Sequence, residues 1–155
     1  FLFCNFAGYS SMAIGTGYLL GVRVPENFRQ PFLSVDMKEF WSRWHSTLST
    51  WLRDYLYSRF VMKSLKQKRF SNPRTASYLG YVLNMMAMGA WHGLQPQYLL
   101  YGVYHSALMC LNEVLDLHCK PFRSFKTHGA GQVVCVLVTF HLFSFGLLIF
   151  SGRLI

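Results

Sequence analysis

The chain has 155 residues, 52% of them hydrophobic, 17% aromatic and only 14% charged, with a positive mean hydropathy. That balance argues against an ordinary soluble domain. Its formal net charge of +9 is not a nucleic-acid signature, because the basic residues fall between apolar stretches, as in the cytoplasmic loops of membrane proteins.

Residues 1–22, 75–112 and 127–152 contain no Asp, Glu, Lys or Arg. A spanning helix needs roughly 20 mostly apolar residues, so the outer zones hold one span each and the middle zone two. An all-α polytopic membrane chain with about four membrane helices is expected. The first helix, over 1–22, is loosened by Gly8, Gly15, Gly17 and Gly21, which favour close packing in lipid. It has no initiator Met, basic leader or small-residue cleavage site, and the chain reads as the C-terminal portion of a larger membrane protein.

The segment 23–74 is expected at the cytoplasmic interface. Arg23, Pro25, Arg29 and Pro31 mark an exit from the bilayer, and Asp36 followed by Glu39 has capping-box spacing. Phe40, Trp41, Trp44, Leu48, Trp51, Leu52, Tyr55 and Leu56 then recur at helical spacing, which predicts an interfacial amphipathic helix or two short ones. Arg59, Lys63, Lys66, Lys68 and Arg69 follow, interleaved with Val61, Met62 and Phe70. Such a stretch either holds anionic lipid heads or docks an acidic partner. A helical hairpin is expected over 75–117, turning at Gln95-Pro96-Gln97, then a basic loop over 118–130 and a last membrane helix over 131–152.

His92, in Trp91-His92-Gly93, is the first candidate for chemistry, since an ionisable group at membrane depth usually faces a cavity, a partner or a substrate path. Asn84, Met88 and His92 share one face of their helix, while Tyr98, Tyr101, His105 and Asn112 line one side of the next. Two facing polar stripes describe a lined cavity or a set of interhelical hydrogen bonds. His45, beside Trp41, Leu48 and Leu52, is the second candidate. The sequence contains no nucleophile elbow, phosphate loop, zinc-protease helix or paired carboxylates. Cys4, Cys110, Cys119 and Cys135 are scattered, without metal-binding spacing, and no metal site is expected. A mechanism led by histidine remains, a side chain suited to taking a proton from a hydroxyl near neutral pH. The non-enzyme alternative is a transporter-like scaffold whose His92 lines a permeation path.

The run Glu39-Phe40-Trp41-Ser42-Arg43-Trp44-His45, then Leu48 through Tyr57, followed by Met88-Gly89-Ala90-Trp91-His92-Gly93, resembles the membrane-bound O-acyltransferase family. Asn5 through Ser10 and Pro25 through Phe32 also look like its bacterial branch, so the resemblance covers nearly the whole chain. Two subgroups of that branch compete: alginate-type polysaccharide O-acetyltransferases and D-alanyl transfer proteins of the teichoic-acid system. Ser58-Arg59-Phe60-Val61 with the lysine-rich stretch, Tyr101 through His105, and Asn112 look more like the latter, with Ser46 as a departure where Met is expected.

The resemblance implies a ring of membrane helices around a thin centre, in a Gram-positive plasma membrane. His92 would be the active-site histidine and His45 the second motif histidine. No cofactor would be bound. The acyl donor would be a D-alanyl thioester on the 4'-phosphopantetheine of a small acidic carrier protein, docking on Arg59, Val61, Met62, Lys63, Lys66, Lys68 and Phe70. The acceptor would be a teichoic-acid hydroxyl or an intermediate membrane acyl carrier.

Overall fold

The computed structural model describes residues 2–154. They are predominantly helical, with no strand among them. Helix α1 (Leu2–Leu19) leads into a loop and a short 3-10 turn at Pro31–Leu33. Next come α2 (Met37–Arg43), α3 (Ser46–Leu52), a π-helical turn at Arg53–Tyr57, and α4 (Ser58–Lys66). The hairpin α5 (Pro73–His92) and α6 (Pro96–His118), the short α7 (Lys120–Phe125) and α8 (Gly129–Phe150) complete the chain.

The capping signal at Asp36 is realised, with its carboxylate accepting the Glu39 backbone N–H at 2.9 Å. Glu39 reaches back to the N–H of Val35 at 2.8 Å, one residue earlier than in the usual reciprocal box. The amphipathic stretch is not one helix, because His45 adopts a left-handed conformation (φ 45°) and breaks α2 from α3. The loop before α2 braces this break: Arg29 N–H donates to the Arg43 carbonyl at 3.0 Å and Ser46 N–H to the Asn27 carbonyl at 2.9 Å.

Phe40, Trp41 and Trp44 are buried rather than interfacial, packed against Met85, Met88, Tyr101 and Phe143. Only the far end of the stretch, at Trp51 and Tyr55, is exposed. Aromatic residues at helical spacing read alike whether their face meets a bilayer or a protein core, and here α2 inserts into the bundle.

The hairpin forms as expected, with Asn72 capping α5 through Arg74 N–H at 3.0 Å and proline in the first turn of each helix. Its helices meet backbone to backbone: a Cβ at Gly89 would strike the Tyr98 carbonyl, and one at Gly102 the Met85 carbonyl. The basic stretch over 59–70 is helical through Lys66, and the 118–130 segment, expected as a loop, contains α7.

Among the described residues one helix, α8, is long and apolar enough to cross a membrane by length and composition. About four were expected. The α5 and α6 helices have the length, but Asn84, His105 and Asn112 dilute their apolar character; all three are buried inside the bundle.

Candidate active site

His92 ends α5, where Gly93 (φ 149°) breaks the helix, and His45 sits at the α2–α3 break. Both line a cavity of about 240 Å³ together with Tyr101, Met88, Trp41, Trp44, Phe6 and Phe150. Residues 45 and 92 thus converge although the sequence keeps them far apart. The His92 ring meets Phe150 edge-on at 4.9 Å and Trp91 at 4.9 Å. Trp91 is 60% exposed and sits outside the lining, its ring 5.9 Å from that of His45.

His45 is held from several sides. Its Nδ1 lies 3.3 Å from the Asn27 side-chain oxygen, and its ring meets Phe6 edge-on at 4.7 Å. Burial, and next the neighbouring His92, push its imidazole down to about 4, so the ring is neutral near pH 7. A neutral imidazole has one nitrogen free to accept a hydrogen bond or a proton.

The other stripe residues divide. Asn84 lines a second cavity of about 230 Å³ with Lys38, Ser49, Arg53, Tyr57 and Tyr81. Trp41 and Met88 line both cavities and form the partition between them. The polar stripes therefore do not enclose one space, because α2 drives Trp41 between them. His105 lies behind the partition, fully buried against Trp41, Tyr101 and Phe143, with neither ring nitrogen hydrogen-bonded. Asn112 is a brace rather than part of the histidine cavity: its oxygen accepts the backbone N–H of Met37 at 3.1 Å and of Lys38 at 3.4 Å.

A sequence profile of the membrane-bound O-acyltransferase family matches residues 1–152. The chain belongs to that family. It is 42% identical to the teichoic acid D-alanyltransferase of Bacillus subtilis and 39% identical to that of Streptococcus thermophilus, each over 99% of this chain. It is also 39% identical over 99% of its length to the probable alginate O-acetylase of Pseudomonas syringae. The chain spans 39% of the first two relatives and 28% of the third.

This membrane-bound O-acyltransferase chain places its basic segment apart from the histidine cavity. Arg59, Met62, Lys63, Lys66 and Lys68 are exposed there, and Phe70 is half-buried. Val61 turns onto α5 at Gly80, so the exposed apolar surface of α4 comes from Met62 and Leu65 instead. Sequence reasoning missed Asn27, Thr47, Phe6 and Phe150 around the histidines. Asn27 lies inside a quoted family motif, Pro25 through Phe32, but nothing in its spacing to His45 signals contact. The distal aromatics look like ordinary apolar positions.

Proposed function

We propose that this chain is the active-site-bearing, C-terminal portion of a polytopic acyltransferase in a Gram-positive cell membrane. It moves a D-alanyl group from a carrier-protein thioester to teichoic-acid or lipoteichoic-acid hydroxyls, directly or through an intermediate membrane acyl carrier. The convergence of His45 and His92 on one aromatic-walled cavity, in a chain of this family, carries the proposal. The D-alanyltransferases that align along almost all of the chain support D-alanyl as the acyl group.

In this reading α1, α5, α6 and α8 belong to a larger ring of membrane helices. His92 takes the proton of the acceptor hydroxyl as its oxygen attacks the thioester carbonyl. The new C–O bond forms, the C–S bond breaks, and the proton passes from His92 to the departing thiolate. General-base assistance of this kind is worth about 100 to 10,000-fold. His45 orients the hydroxyl, and the aromatic walls exclude water that would otherwise hydrolyse the thioester. The donor arrives on the 4'-phosphopantetheine of an acidic carrier docked on α4 and the residues that follow it.

The deciding experiment replaces His92 with Ala in the full-length protein and measures ester-linked D-alanine on the cell wall. Near-complete loss at normal protein level is expected; unchanged D-alanine would refute the assignment. Similarity to the probable alginate O-acetylase favours a second reading, acetyl transfer to a surface polysaccharide. Acetate rather than D-alanine on the product would decide for it.

A further inference from the structure

Asn27 lies on the loop between α1 and α2, and its side chain joins three parts of the chain. Its oxygen stands 3.3 Å from His45 Nδ1 and accepts the Thr47 hydroxyl at 2.5 Å. Its amide nitrogen donates to Ser10 Oγ on α1 at 3.2 Å. Its backbone carbonyl accepts Ser46 N–H at 2.9 Å, fastening the loop to the break that carries His45.

An amide oxygen only accepts hydrogen bonds, so the ring nitrogen facing it carries the proton. The neutral ring then has its lone pair on Nε2. Phe6 and Trp91 meet the ring edge-on, at 4.7 Å and 5.9 Å between centroids.

We infer that Asn27 is a positioning residue for this site: its side-chain amide fixes the ring and the tautomer of His45, leaving Nε2 as the acceptor for a hydroxyl entering the cavity. This rests on the acyl-transfer reading above. It separates the two histidines in time: the single O–H donates to His45 Nε2 as the acceptor enters, then turns to His92, which removes the proton as the oxygen attacks. The titratable groups sharing the cavity with His45 are His92 and Tyr101, and no carboxylate is among the lining residues. Arg43, two residues away, is paired with Glu39 at 2.5 Å, and Glu26 presents its backbone carbonyl to Ser46 Oγ at 2.5 Å.

The test uses the full-length protein in membranes and follows transfer of labelled D-alanine from its carrier thioester between about pH 4 and pH 9. Asn27→Asp keeps the shape and the acceptor oxygen but sets a carboxylate beside Nδ1–H. That carboxylate favours the imidazolium, so the acid limb of kcat should move upward by roughly 1–3 pH units, with the rate recovering above it. Asn27→Ala should lower kcat at least about tenfold at every pH, the scale on which the outer partners of a working histidine act, with KM little changed. Because Asn27→Ala also removes the bonds to Ser10 and Thr47, it is read together with the isosteric Asn27→Asp.

A wild-type pH profile in Asn27→Asp overturns the inference. So does an Asn27→Asp protein as inactive as Asn27→Ala across the whole range at normal abundance. His92→Ala run in parallel separates the two levels: loss of transfer there beside an unshifted Asn27→Asp profile removes the role of Asn27 alone. Transfer persisting in His92→Ala removes His92 as the base, and with it the division of labour on which the inference rests.

Discussion

The left-handed backbone at His45 is an uncommon place for a non-glycine residue, and it turns the imidazole off the axis of either flanking helix toward His92. Behind the cavity, His105 occupies space that Gly146 leaves open on α8, since a Cβ there would overlap the imidazole. Gly146→Ala is therefore expected to destabilise the full-length protein by about 1–3 kcal/mol, read as a lower thermal midpoint in detergent. His105→Ala in the same protein should relieve the clash; a double variant no more stable than Gly146→Ala would exclude this contact as the cause. His92 was legible in the sequence because an ionisable group in an uncharged stretch stands out. Asn27 was not, since an asparagine in a proline-rich loop is ordinary until its distance to His45 is known.

At the scale of elements, α2 is held at its start by two unrelated residues. Asp36 caps it locally, and Asn112 accepts two of its first N–H groups from α6. Lys126 bridges Asp36 at 2.7 Å and Asp116 at 2.6 Å, tying both to the segment before α8. Lys38 pairs with Glu113 on the neighbouring side. Burial works to lower the affinity of Lys126 for its proton, but the hydrogen bonds and charges of Asp116 and Asp36 outweigh it and the net shift is upward. A raised lysine stabilises the fold at every pH below its ordinary range, and that contribution is lost only as alkali removes the proton.

Asn112→Ala leaves the Met37 N–H unpaired at a buried position, for an expected cost of about 1–3 kcal/mol. Limited proteolysis of the full-length protein should then cut earlier around residues 33–46; an unchanged digestion pattern would count against the brace. The local cap was readable from its spacing, and the hairpin from its apolar length and prolines. The destination of α2 was not. Trp41 and Trp44 at helical spacing fit a membrane interface as well as a core, and only the partners contributed by α5, α6 and α8 distinguish the two.

For the whole molecule, the basic face of α4 and the histidine cavity are separate features of one bundle. The proposed docking of an acidic carrier on α4 predicts that Lys63→Glu, Lys66→Glu and Lys68→Glu together weaken that association and flatten its salt dependence. Binding of the purified carrier across a salt series measures this; affinity indifferent to both salt and charge reversal would argue against docking there. Composition pointed to a membrane setting, and among the described residues α8 alone is long and apolar enough to cross one. In α5 and α6 the membrane signal is weaker because their polar side chains are spent inside the bundle, on a cavity, a brace and a buried imidazole.

The hairpin crossing bears on all of this. Where Gly89 and Gly102 let α5 and α6 touch through their main chains, the separation of the two helices is set by peptide groups, which do not compress or swing aside. His92 lies three residues beyond Gly89 and Tyr101 one residue before Gly102, so the crossing works as a fixed gauge for the histidine cavity. A single methyl at either glycine would reset that gauge and shift His92 against Tyr101 without touching a side chain of the cavity.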